Sequence, residues 1–163
     1  LMNIEGEVIG VNTAIQSSTG SFNGVGFAIS SNTVTKVADS IIEEGDYKHS
    51  WVGVSGIDVN SDIAEAMNLT ENRGFLIMNV VEDGPADKAG IRAGDRNATL
   101  NGVKYRLGGD VITAINGTEI SGIDQVHNYL SENTRPGDRI VITVIRDGQQ
   151  TEIPLTLEPR PQD

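Results

Sequence analysis

The 163 residues include no cysteine, which excludes a disulfide framework and any thiolate metal site while leaving the compartment open. Aromatic residues are scarce, with three Phe, three Tyr and one Trp, so any core must be largely aliphatic. Positive charge is also short: 12 Lys and Arg stand against 23 Asp and Glu, a formal charge of −11. Phosphate binding needs a clustered basic footprint, and its absence sets nucleic acid aside as a partner. The acidic residues are scattered and read as a solvated surface. No run approaches the ~18 apolar residues of a membrane-spanning helix, and no signal-peptide pattern is present.

What is there is patterned. Residues 1–4 and 8–11 are short apolar runs joined by Glu5-Gly6-Glu7, which predicts a β-hairpin. Such a hairpin is marginal alone and must pack on further strands. Residues 16–24 are small and polar and read as a loop, and 25–29 as a strand. Ser31, Asn32 and Thr33 are N-cap candidates for a helix whose face carries Val34, Val37, Ala38, Ile41 and Ile42 and which stops at Gly45. Residues 44–49 read as a linker.

Beyond it the pattern changes. Trp51 starts a strand, 61–69 a short amphipathic helix, and 74–81 a buried strand. Gly84-Pro85 through Gly90 predicts a helix of one or two turns, with Pro near its start and Gly just past its end. Residues 110–117 form strand and turn, 123–130 a second amphipathic helix, and 140–146 and 152–157 two strands around Asp147-Gly148. This is a compact mainly β or α+β module.

Several patterns that imitate sites are set aside. Asp58-Val59-Asn60-Ser61-Asp62 resembles the start of a calcium loop, but Ile63 replaces the required Gly and Leu69 the closing Glu. His49 and His127 lie far apart and read as surface residues. Neither metal nor cofactor is expected. The sequons at Asn68, Asn97 and Asn116 are weak support for export.

The run GPADKAGIRAGD, then GDVITAING, a helix, and PGDRIVITVIRDG stand in the order found in PDZ domains. They resemble the circularly permuted kind that follows bacterial and archaeal serine proteases. LMNIEGEVIGVNTAI with GVGFAISSNTVTKVADSIIEEG resembles the close of the trypsin-like domain of the HtrA/Deg family. The fold this implies is a permuted PDZ domain preceded by the last strands and C-terminal helix of a trypsin-like β-barrel. Residues 1–46 would be that incomplete protease segment, and 47–160 the PDZ domain. Residues 96–109 interrupt the family pattern as an inserted hairpin around Asn101-Gly102, expected to be a surface elaboration.

The resemblance places the family's Gly-Asn-Ser-Gly-Gly-Pro nucleophile motif, and its His and Asp, ahead of Leu1. The parent would be a serine endopeptidase, and this chain would lack the triad and be inactive by itself. Asn12, Thr13 and Ala14, with Gly26, Phe27 and Ala28, resemble remnant walls of a specificity pocket. Trp51, Val52, Gly53 and Val54 match the loop that holds a peptide's terminal carboxylate, with Gly53 turning backbone N–H groups toward the anion. Ser55, Gly56 and Ile57 would pair with the ligand strand, and Val126, Tyr129 and Leu130 would form the opposite wall.

The expected function is that of a C-terminal part of a protein-quality-control endopeptidase. Its PDZ domain would bind peptide or unfolded-protein C-termini to recruit substrate or regulate the protease. Homo-oligomers and an extracytoplasmic location, periplasmic or at the cell surface, with membrane anchoring through an upstream segment, come with the family. Two alternatives stand beside it: a free-standing PDZ adaptor without proteolysis, and a domain acting only as an assembly contact.

Overall fold

The structure, a computed structural model, describes residues 1–16 and 24–161. The loop expected at 16–24, with Ser17, Ser18 and Ser21, therefore lies largely outside the described residues. Two compact units divide the chain, Leu1–Tyr47 and Lys48–Asp163.

In the first unit, the hairpin expected at the start reduces to an isolated bridge between Met2 and Val8. The reason is local: Asn3 Oδ1 accepts from the N–H groups of Glu5 and Glu7, at 3.1 and 2.9 Å, and so offers the turn an alternative to a strand ladder. The real sheet pairs β1 (Gly10–Ile15) with β2 (Gly26–Ser30), antiparallel, with an irregularity between Asn12 and Ala14. Helix α1 (Ser31–Glu44) starts one residue earlier than predicted, capped by Ser30, whose Oγ accepts from Thr33 N–H. It ends at Gly45, where φ of 78° permits the left-handed cap that returns its N–H to the Ile41 carbonyl. No described residue of α1, and no described side chain of either strand, is buried.

The second unit contains β3 (Ser50–Trp51), β4 (Val54–Asp58), α2 (Ser61–Ala66), β5 (Phe75–Val80) and α3 (Pro85–Lys88). After these come β6 (Arg96–Leu100), β7 (Val103–Leu107), β8 (Val111–Ile115), β9 (Thr118–Glu119) and α4 (Ile123–Asn133). The last three strands are β10 (Arg139–Arg146), β11 (Gln149–Thr156) and β12 (Glu158–Pro159). A six-stranded antiparallel sheet runs β11-β10-β8-β5-β4, with β9 paired to β8. Asn101-Gly102, Asn116-Gly117 and Asp147-Gly148 all hold positive φ at both positions, as tight two-residue hairpin turns require.

The sheet is covered on both faces because its strands alternate. Phe75 and Ile77 join Ile112, Ile142, Val144, Ile153 and Leu155 in the main core, which α4 completes through Val126 and Leu130. Leu76 and Val111 turn to the other face and pack with Val59, Ile63 and Ala64 around α2 and with Leu107 of β7.

The 96–109 hairpin corrects the expectation of a surface elaboration. In its register Ala98 faces Tyr105 and Leu100 faces Val103, so the apolar residues share one side. Ala98, Leu100 and Tyr105 pack on the second core, and Leu107 is 1% exposed. Where the chain enters and leaves the hairpin there is no room for a side chain. A Cβ at Gly94 would lie 2.3 Å from the Arg106 carbonyl oxygen, and one at Gly109 2.1 Å from that of Ile77.

Just past the hairpin, Asp110 is buried at 1% exposure. Its Oδ1 accepts from Arg146 Nε at 2.8 Å, and its Oδ2 from an Arg146 terminal nitrogen at 2.7 Å and from Arg92 N–H at 2.8 Å. That bidentate geometry, the largest cause, raises the Arg146 pKa above its ordinary value against the opposing effect of burial. The part of the stability that comes from the raised Arg146 pKa is fully present below arginine's ordinary pKa and is lost as pH rises through the raised value, so this arginine does not titrate at physiological pH.

Candidate functional site

The segment 51–54 is shaped by one glycine and one indole. Gly53 adopts φ of 82°, and a Cβ there would stand 3.3 Å from the Trp51 ring and 3.4 Å from Pro85 Cδ. Trp51 thus packs across Gly53 and Gly84, joining the loop to the N-cap of α3. The loop's carbonyls point inward: Val52 O accepts from Ala86 N–H and Gly53 O from Val81 N–H, both at 2.9 Å. Its amides do not. Val52 and Gly53 are buried, yet among the described residues no acceptor takes either N–H. Buried backbone donors are almost always paired, so two consecutive orphans at a positive-φ glycine are donors that an anion would satisfy.

Next to this loop, β4 is the end of the sheet, and one of its edges faces no strand among the described residues. Ser55 is exposed, opposite Asn79 of β5, and a bulge follows it. Gly56 is required there because a Cβ would sit 1.8 Å from the Leu76 carbonyl oxygen. Ile57 packs on the second core, on the α2 side.

Helix α4 is fixed along this edge. Asp58, at the end of β4, accepts from Ile123 N–H at 2.7 Å and so caps the helix from another element. A Cβ at Gly122 would meet that carboxylate at 2.8 Å. Helix α4 therefore starts at the far end of β4 and also packs on β3.

The sequence-predicted wall residues divide by role. Val126 and Leu130 are buried in the main core and Tyr129 is half-buried against it. The Tyr129 hydroxyl accepts from Asn116 Nδ2 at 3.0 Å, and Asn116 Oδ1 in turn accepts from Val141 N–H, which anchors the helix to the β8–β9 turn. Val54 and Ile123 are half-buried apolar residues of β4 and α4 beside that core. Ile123 and Asp58 escaped sequence reasoning. Asp58 stood in the apparent calcium loop, whose other members are also engaged: Asn60 caps α2 and Asp62 accepts from Asn101.

In the first unit, Asn12, Thr13, Ala14, Gly26, Phe27 and Ala28 are brought together on one ladder. Asn12 is opposite Ala28, Ala14 opposite Phe27, and Thr13 Oγ1 donates to Phe27 O at 3.2 Å. All six are exposed. Elsewhere, a cleft of about 450 Å³ opens on the second unit, lined by Arg73, Thr113, Glu119, Thr143 and Glu152 among others, and includes no residue of the 51–58 segment. Strand addition at an edge needs no enclosed cavity, so the edge is the stronger candidate.

An open sheet edge, a helix tied to its far end and a loop with unpartnered amides are the parts that strand-adding β domains use. Residues 52–157 match the PDZ domain family, and the chain belongs to it.

The likeness extends through the first unit. The chain is 37% identical over 163 residues, all of its length, to a probable periplasmic DegP-like serine endoprotease of Chlamydia muridarum. It is 37% identical over 161 residues to the one of Brucella suis biovar 1, covering 99% of this chain. It spans 30% and 28% of those relatives. Among solved structures, the HtrA-type protease AlgW with decapeptide matches at a TM-score of 0.69 and 35% identity, over 97% of this chain and 44% of that one. AlgW with tripeptide matches at 0.70 and 33%, over 99% and 48%. A full-length likeness to HtrA-type proteases bears out the resemblance read from the sequence. A free-standing adaptor gives no reason for residues 1–47 to share it. Among the described residues no helix is long and apolar enough to cross a membrane.

Proposed function

We propose that the second unit captures the C-terminal end of a peptide or unfolded protein on β4, its carboxylate held by Trp51, Val52, Gly53 and Val54. The observation that carries this reading is the pair of unpartnered N–H groups at Val52 and Gly53 beside an open strand edge. Ser55, Gly56 and Ile57 supply the backbone ladder. Val126 and Leu130 support the groove from within the core, and Tyr129 sets the pose of α4. Capture would recruit substrate to, or regulate, an HtrA-like serine endopeptidase acting in protein quality control outside the cytoplasm.

On the same reading, residues 1–46 are the closing segment of that enzyme's trypsin-like domain, and 47–160 its PDZ domain. The exposed apolar faces of β1, β2 and α1 support this, since such faces are covered in a complete barrel. In the isolated chain the same faces favour pairing of two copies. The test is calorimetric titration of a peptide with a free apolar C-terminus against the chain and its Gly53→Val variant. A β-branched residue at φ of 82° is strained and crowds Trp51 and Pro85, so affinity falls more than about tenfold, roughly 1.4 kcal/mol. Unchanged affinity contradicts the loop assignment.

A further inference from the structure

The inserted hairpin has an outer face as well as an inner one, and the outer face is chemically unlike the rest of the molecule. In a chain of formal charge −11, residues 96–109 carry Arg96, Lys104 and Arg106 and no carboxylate. The alternation that buries Leu107 turns Lys104 and Arg106 outward, opposite Thr99 and Asn97 of β6. Ion pairs engage Arg73, Lys88, Arg92 and Arg146, and among the described residues none engages Lys104 or Arg106.

Arg106 is nonetheless aimed. A terminal guanidinium nitrogen donates to Asn79 Oδ1 at 3.0 Å, and Asn79 Nδ2 donates to Ser55 Oγ at 3.1 Å. This polar relay runs from the hairpin across β5 to the edge strand β4, and Arg106, Asn79 and Ser55 are all exposed. A strand added to the open edge of β4 would place the side chain opposite Ser55 on the same face as this relay. At a strand spacing of about 4.8 Å, that position is two strands, roughly 10 Å, from Asn79 and the Arg106 it holds, a gap across which charges attract at low salt and are screened at high salt.

We infer that Arg106, supported by Lys104, makes the groove selective for peptides with an acidic side chain upstream of the apolar C-terminus, at the position facing Ser55. This rests on the capture reading above and adds a ligand chemistry to it. Anions are repelled by most of this surface, so one cationic strip beside the groove gives discrimination as well as attraction.

The test scans Glu against Gln through the last four non-terminal positions of a labelled peptide with a free apolar C-terminus, by fluorescence anisotropy at low salt. One position should favour Glu by about fivefold, and roughly 0.5 M salt should abolish the preference. Arg106→Gln should remove it while leaving the all-Gln peptide's affinity unchanged, and Lys104→Gln should weaken it less. A flat scan overturns the inference with the groove intact, as does a preference that Arg106→Gln leaves in place. If no free-ended peptide binds and amidated ones behave alike, the capture reading has failed first and the inference falls with it.

Discussion

The two units use the same residue types to opposite ends. In Lys48–Asp163, Ile, Val and Leu alternate into two cores, one on each face of a sheet. In Leu1–Tyr47, Ile4 is 99% exposed, Ile42 81% and Phe27 56%, and no large apolar side chain of the described residues is buried. Both have regular strands and a well-capped helix, so local geometry does not separate them. What separates them is partners. One unit closes its own hydrophobic faces, whereas the other presents faces that only another body can cover.

Substitutions that remove internal partners sharpen this contrast. The largest loss is expected from Asp110→Ala, which leaves the Arg146 guanidinium only the Gly90 carbonyl and takes the acceptor from Arg92 N–H. Breaking such a buried pair costs about 3–5 kcal/mol, measurable by urea unfolding followed through Trp51 fluorescence. Leu107→Ala comes next, at about 2–4 kcal/mol, because the hairpin is part of the second core. A loss below about 0.5 kcal/mol would return the hairpin to the status of an ornament. Smallest of all, Ile4→Ala and Ile42→Ala should change the chain's unfolding free energy by no more than about 0.5 kcal/mol in the same experiment. A larger change would mean that the first unit has a core of its own.

The contrast also explains how far the sequence could be read. The turns at Asn101-Gly102, Asn116-Gly117 and Asp147-Gly148, the Pro85 helix start and the Gly45 stop are local, and each was legible. The family order of the motifs reached the fold and is what proposes the loop around Gly53. Long-range partnerships were not legible. Asp58 was set aside with an apparent calcium loop, and its role as a cap went unread because its partner, Ile123 N–H, lies 65 residues away. The hairpin looked superficial because α2, which it covers, precedes it by some thirty residues, as Arg96 to the Ala66 carbonyl illustrates. Asn3 shows the converse. A side chain competing for backbone bonds left the opening hairpin with an isolated bridge where apolar pattern alone promised strands.

The central claim, that one unit carries a self-contained capture site and the other takes no part in it, is tested most directly by amide hydrogen exchange. The full chain would be followed alone, with a peptide bearing a free apolar C-terminus, and with its amidated twin. The account predicts that the free peptide slows exchange at Val52, Gly53 and along β4, that amidation removes most of this protection, and that residues 1–16 and 24–47 do not respond. Protection that is equal with both peptides, or that appears in the first unit and spares Val52 and Gly53, would contradict it.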